Sequence, residues 1–268
     1  MQTQSVHGVK LAYSDRGSGL PVVLIHGFPL DHTMWDAQIE ALAGRWRVIA
    51  PDLRGFGRSS VIPGTATMEQ MAGDVAGLLE AIGVGTPVVL AGLSMGGYVA
   101  LSFCRQYGHR LRGLILCDTR AAPDTPEAAA GRRETAARVL REGTAPLADA
   151  MLPRLLAPST LQNRPDLVEA LRRAILRADP QAIAAASLGM AERPDATPLL
   201  SAIACPALVV VGQQDAISPV PEMSKLAEAM PRAQLAVIRD AGHMSPMENP
   251  AEVNRAMVSF LEEIANDE

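Results

Sequence analysis

Two kinds of apolar pattern alternate along the chain. The segments 22–25, 47–50, 88–91, 111–117, 208–211 and 234–238 are short runs of aliphatic and β-branched residues with little polar interruption. Such runs are expected of parallel strands covered on both faces. Between them, 34–43, 68–82, 96–107, 221–230 and 250–264 place apolar residues at helical spacing, and each is long enough to cross over a parallel pair. The segment 6–13 alternates in character around Gly8 and then meets Asp15-Arg16-Gly17-Ser18-Gly19, so it reads as an antiparallel hairpin at a sheet edge. Alternating strands and helices predict an α/β fold with a mostly parallel, doubly wound sheet of about eight strands.

The alternation stops over 121–198, where no strand-like run occurs. Leu147, Met151 and Leu155, then Leu167, Leu171 and Ile175, fall at i, i+4, i+8, which is one face of a helix. Prolines recur through this stretch, and proline is tolerated in a helix's first turn but breaks its interior. The expected organisation is therefore a core domain made of 1–120 and 199–268, with 121–198 inserted as a helical cap of three or four short helices.

Composition narrows the function classes. With 24 basic against 29 acidic residues the net charge is −5, and no run of like charge stands out, so nucleic acid is not an expected partner. No stretch approaches the roughly 18 apolar residues that span a bilayer, and the opening MQTQSVHGVK has no apolar leader pattern, so no membrane association and a cytoplasmic location are expected. Cys104, Cys117 and Cys205 form no CxxC or Cys/His cluster, and no two of the five histidines share a metal-ligand spacing, so neither metal nor cofactor is predicted. Association into a homo-oligomer is left open.

The chemistry is concentrated after the strands. Gly92-Leu93-Ser94-Met95-Gly96 is a GxSxG pattern between a strand-like and a helix-like run. The pentapeptide alone arises by chance about one time in ten in such a chain, so its strand-to-helix context is what informs. Glycines are needed there because the turn is sharp and flanking side chains would clash, which pushes Ser94 Oγ into the open as a candidate nucleophile. The helix behind it offers free N–H groups to an oxyanion, Met95 being the donor next to the serine. A second donor is expected from His26-Gly27-Phe28-Pro29 after an earlier strand; proline has no N–H, so Phe28 is chosen, with His26 shaping the turn.

Two aspartates follow strands as candidates to orient a histidine, Asp118 and Asp215. Asp215 is preferred because it lies after the strand that follows the inserted helices, giving the order Ser, Asp, His. His243, in the loop after the last strand, is the candidate general base, and nearby Asp240 is read as shaping the turn. Asp52-Leu53-Arg54-Gly55-Phe56-Gly57-Arg58-Ser59 lacks both the GK[ST] ending of a P-loop and the third glycine of GxGxxG, so it reads as a structural turn with an Asp and Arg pair.

HGFP, DLRGFGRS, GLSMGG, GQQDAISP and AGHMSPMENP occur in the order in which the α/β-hydrolase superfamily carries them, and on these segments the chain resembles that superfamily from its N-terminal hairpin to its last helix. Within it the chain is similar to small bacterial carboxylesterases, 3-oxoadipate enol-lactonases and cofactor-free perhydrolases. Serine at position 94 sets it apart from haloalkane dehalogenases and epoxide hydrolases, which use aspartate there. Pro29 after an aromatic residue is similar to the perhydrolases, with Phe28 where they have tryptophan.

The expected reaction is acyl transfer from a small-molecule ester or lactone through Ser94, His243 and Asp215, with the N–H groups of Phe28 and Met95 receiving the oxyanion. A roof of Leu147, Met151, Leu155, Leu156 and Met190 would favour uncharged, moderately apolar substrates, whereas Arg120 would suit a carboxylate. The alternatives are an enol-lactone hydrolase, a perhydrolase on the same residues, and a non-catalytic ligand sensor.

Overall fold

The computed structural model describes residues 1–266. Its centre is an eight-stranded sheet: β1 (Gln2–Val6), β2 (Val9–Arg16), β3 (Pro21–Ile25), β4 (Arg47–Pro51), β5 (Val88–Leu93), β6 (Leu111–Cys117), β7 (Ala207–Gly212) and β8 (Ala233–Ile238). The spatial order is β1-β2-β4-β3-β5-β6-β7-β8, with antiparallel pairing confined to β1–β2 and β2–β4. Six parallel strands therefore present their C-terminal ends along one rim.

The sheet is buried because its strands are apolar on both sides. Val23 and Ile25 of β3 join one core cluster, while Val22 and Leu24 join the other, and β5 divides Val88 and Leu90 from Val89 and Ala91 in the same way. Helices α2 (Met68–Ala81), α3 (Met95–Tyr107) and α9 (Val220–Glu228) supply the first cluster. Helices α1 (Asp36–Leu42) and α11 (Pro250–Asn266), with the short α10 (Ser245–Glu248) leading into the latter, cover the other face. Thr67 starts α2 with a reciprocal cap, its hydroxyl accepting from the Gln70 N–H while the Gln70 side chain accepts from the Thr67 N–H.

Three details differ from the sequence reading. The hairpin turns at His7 and Gly8, not at 15–19: both residues have positive φ, 49° and 80°, as a two-residue turn of the I′ kind requires. Strand β8 is not covered on both faces, since Leu235 and Val237 are 40% and 38% exposed; it is the sheet's outer strand. In the turn after β4, Arg58 gives Asp52 its backbone N–H rather than its guanidinium, and Arg54 pairs instead with Asp74 on α2.

Between β6 and β7 lie five helices rather than three or four: α4 (Pro126–Glu142), α5 (Ala145–Leu155), α6 (Pro158–Asn163), α7 (Pro165–Arg177) and α8 (Pro180–Ala191). Each has a proline in its first turn, so most of the residues expected to cut the segment start its helices; Pro153 instead lies inside α5 without ending it. Helix α8 is buried along nearly its whole length and lies against the loop before α2, where Ala66 donates its N–H to the Ala185 carbonyl at 3.0 Å.

That seam admits no further volume. A Cβ at Gly189 would stand 1.8 Å from the carbonyl oxygen of Ala66. Gly189→Val is expected to cost about 2 kcal/mol, in the overpacking range, and to lower Tm by roughly 5 °C for a chain of this size. Thermal unfolding by circular dichroism measures it, and an unchanged Tm would contradict the packing described.

Candidate active site

Strand β5 ends at Leu93, and α3 begins at Met95, leaving Ser94 alone to make the turn at φ 54°, ψ −113°. A non-glycine residue held there carries about 1–3 kcal/mol of strain. Its neighbours explain why the strain persists. A Cβ on Gly92 would lie 2.2 Å from the Gly96 carbonyl oxygen, and one on Gly96 would lie 2.3 Å from that of Ile25. The Ser94 backbone is tied on both sides, its N–H donating to Cys117 O at 2.9 Å and its carbonyl accepting from the Thr119 hydroxyl at 2.7 Å.

The structure brings Ser94, His243 and Asp215 together. His243 Nε2 lies 2.9 Å from Ser94 Oγ, and His243 Nδ1 lies 2.8 Å from Asp215 Oδ2. Imidazole and carboxylate are both buried. Burial pushes the Asp215 carboxyl up, but the hydrogen bond and charge of His243, with the N–H groups of Ser218 and Ile217, outweigh it and hold the group below the ordinary carboxylate value. An ionised Asp215 facing Nδ1 fixes the tautomer that leaves Nε2 free to accept the serine proton.

Glu248 supports the histidine loop. Its Oε1 accepts from the N–H of Gly242 at 2.8 Å and of Met244 at 3.3 Å, the two residues flanking His243. Its Oε2 accepts from Ala157 N–H at 2.8 Å, tying the loop to the start of α6. Asp240, at φ 52°, makes the turn out of β8.

Asp118 does not reach the histidine. It is fully buried, with Oδ1 accepting from Gly212 N–H at 2.7 Å and Oδ2 bonded to Ser245 Oγ at 2.5 Å. Burial, then the charge of Asp215, holds its carboxyl well above the ordinary range. His26 is also buried: its Nε2 accepts from Leu53 N–H at 3.0 Å, its Nδ1 faces Gly27 O at 3.0 Å, and burial pushes its pKa down. It splices the loop after β3 to the loop after β4.

The Ser94 hydroxyl opens into a cavity of about 500 Å³ lined by Phe28, Ser94 and His243 below and by α4, α5 and α8 above. Leu147, Met151, Leu155, Met190 and Arg120 of the predicted set line it. Leu156 does not: α5 ends at Leu155, the chain turns to an extended conformation, and the Leu156 side chain is buried in the core cluster with Leu152 and Met244. Phe28 lines the cavity and Met95 follows the serine at the start of α3; among the described residues neither backbone N–H donates to another backbone group outside the helices and strands.

Sequence reasoning missed several contributors. Ser218 donates to Asp215 Oδ2 at 2.8 Å and stands 3.3 Å from His243 Nδ1. It lies three residues after the aspartate, within GQQDAISP, where a side-chain turn could have been expected. Thr119 gave no sequence signal because its partner Ser94 is distant in the chain, and Glu248, although close to Gly242 and Met244, gave none for its bond to Ala157. Among the described residues, Asp31, His32 and Asp52 have donor atoms within 4.8 Å of one another, but Asp52 already accepts from the His32 N–H and ring and from Arg58 N–H, so the group is accounted for as a turn.

A family model described as the alpha/beta hydrolase fold matches residues 21–250. A thermophilic esterase from Thermogutta terrifontis, solved with malate bound, superposes with a TM-score of 0.97 at 55% identity, covering 98% of this chain and 99% of that one. The enol-lactonase from Burkholderia xenovorans LB400 superposes at 0.91 with 29% identity, over 97% of this chain and 100% of that one. The 3-oxoadipate enol-lactonase 2 of Acinetobacter baylyi is 28% identical over 261 residues, 97% of this chain and 96% of its own length.

Asp118 yields a test with a definite sign. Its proton is kept in the folded state at pH values where the unfolded chain, with an ordinary carboxyl, has lost it. Stability from this position therefore falls as pH rises above about 4, the unfolded value. Asp118→Asn keeps an acceptor for the Gly212 N–H and a polar group facing the Ser245 hydroxyl while removing the titrating carboxyl, so its Tm relative to wild type is expected to climb between pH 5 and 8. Asp118→Ala leaves the Gly212 N–H buried and unpaired and is expected to lose about 2 kcal/mol. A parallel pH course for wild type and Asp118→Asn in thermal melts would refute the protonated reading.

Proposed function

The chain belongs to the α/β-hydrolase fold family, and we propose that within it the protein is a serine hydrolase of carboxylic esters acting through Ser94, His243 and Asp215. The observation that carries this reading is the continuous relay from Asp215 Oδ2 through His243 to Ser94 Oγ, with contacts of 2.8 and 2.9 Å, opening into a cavity of substrate size.

In the proposed mechanism His243 Nε2 takes the proton of Ser94 as Oγ attacks the ester carbonyl. The oxyanion is received by the N–H groups of Phe28 and Met95, the latter in the first turn of α3, where the helix dipole adds positive potential. His243 then protonates the leaving alcohol, and the acyl group remains on Ser94. Water, deprotonated by the same imidazole, releases the acid, while Asp215 stabilises the imidazolium in both halves. Ser218, donating to the same oxygen of Asp215 that faces His243, is a positioning residue.

A second reading, lactone hydrolysis on the same residues, draws support from the enol-lactonases that the chain resembles over nearly its full length. The chemistry is unchanged; the alcohol simply stays attached to the released acid. Peroxide in place of water at the second step would give a peracid. The three cysteines, all free thiols, suit the reducing setting of the cytoplasm.

Purified protein is expected to release nitrophenol from 4-nitrophenyl acetate, and Ser94→Ala to lower kcat by at least about a thousandfold. Equal rates from the two proteins would remove Ser94 as the nucleophile.

A further inference from the structure

The cavity above Ser94 carries more positive charge than neutral esters call for. Four of its lining side chains are arginines, Arg120, Arg132, Arg138 and Arg154, against the single carboxylate of Asp124. Two of the four already have acidic partners inside the protein, although the buried Nε of Arg120 has no hydrogen-bond partner among the described residues. Arg132 bonds one oxygen of Asp124, whose other oxygen is 2.7 Å from Arg193. Arg120 stands 3.2 Å from Glu222 and donates to the Ile217 carbonyl. Arg120, the side chain that the sequence suggests for a carboxylate, is thus already engaged.

Arg138 and Arg154 are different. Among the described residues neither has an ion pair or a side-chain hydrogen bond, although both line the cavity. Their positions are set by the helices. On α4 the lining residues Ala128, Arg132, Thr135 and Arg138 form one stripe, and on α5 Leu147, Met151 and Leu155 form another, with Arg154 beside it. A guanidinium does not shed its proton, so neither can become neutral to suit an apolar ligand. Arg138 is half-buried and Arg154 exposed at the cavity's edge; a concave wall concentrates the field of such charges toward its interior, and the planar fork of each is matched by a carboxylate.

We propose that Arg138 and Arg154 form the anion-recognising part of the cavity, and that the ester or lactone taken by the enzyme carries a free carboxylate on the portion lying under α4 and α5. The inference rests on the ester-hydrolase reading for the reaction and adds the charge of the substrate, in place of the uncharged, apolar class suggested by the leucine stripe alone.

The test compares kcat/KM for mono(4-nitrophenyl) glutarate and 4-nitrophenyl pentanoate, whose acyl chains have equal length and differ in a terminal carboxylate or methyl. Wild-type protein is expected to prefer the glutarate by about tenfold or more at low ionic strength, the scale of one charge-assisted hydrogen bond. That preference should shrink as sodium chloride is raised to screen the charges. Arg138→Gln and Arg154→Gln are each expected to lower the glutarate to pentanoate ratio severalfold, mainly through KM for the glutarate. The double variant should lose the preference, and Arg138→Lys should restore part of it. Turnover of the pentanoate with no gain on the glutarate, or a ratio unchanged in a folded double variant, overturns the anion assignment and leaves the hydrolase reading standing. Cleavage of neither ester by wild-type protein removes the hydrolase reading and this assignment with it.

Discussion

Three consecutive residues at the end of β6 hold the ends of three other segments, and the geometry of the site follows from them. Cys117 offers its carbonyl to the N–H of Ser94, and Thr119 gives its hydroxyl to the Ser94 carbonyl. Between them Asp118 bonds Gly212, at the end of the strand leading to Asp215, and Ser245, just after His243. Nucleophile, base and orienting acid are far apart in sequence, yet each is fixed against the same short stretch of backbone. A strained residue persists only where its surroundings over-determine it. Ser94 meets that condition: its N–H and carbonyl are engaged, its flanking glycines pack where no side chain would fit, and Oγ turns toward His243.

Carboxylates around the histidine take three different tasks because their surroundings differ. Asp215 faces an imidazole and several N–H donors, which favour the charged form. Asp118 is wholly buried and lies near the charge of Asp215, so its neutral form is favoured and serves as a brace. Glu248 accepts three backbone N–H groups, two flanking His243 and one at the start of α6, so the base and the inserted helices share one anchor. This arrangement holds the backbone on both sides of the imidazole.

The mostly parallel sheet was legible because its strands leave a local trace, and so do the positions of Ser94, Asp215 and His243, which the fold brings together. Buried parallel strands are apolar runs, the serine turn needs glycine on both sides, and Asp215 and His243 follow strands in chain order. Features that depend on partners distant in the sequence were not legible. Thr119 and Glu248 look like ordinary polar residues until the fold brings Ser94 and Ala157 to them. The hairpin turn was misplaced to 15–19 because that stretch has more glycine and charge than His7-Gly8, whereas the backbone needs only two successive residues with positive φ. Proline counting misjudged the inserted helices because proline marks their first turns, and a start looks the same as a break until the helix after it is seen.

The inserted helices show why apolar periodicity is an incomplete guide to a binding surface. The leucine stripe of α5 was found at its i, i+4, i+8 positions, and Leu147, Met151 and Leu155 do line the cavity. A helix face about 100° wide also takes in the neighbours of those positions, and here they include Arg154, while the facing stripe of α4 carries Arg132 and Arg138. Selecting apolar positions discards the charged residues that share their face. Arg132 is neutralised by Asp124, which makes the unneutralised pair conspicuous: a fold that has placed carboxylates against Arg132, Arg193 and Arg120 has placed none against Arg138 and Arg154 among the described residues. A cation left without an internal partner in the wall of the cavity that holds the nucleophile is balanced by solvent or by substrate. Only the second leaves the cavity's charge with a role in selecting what reaches Ser94.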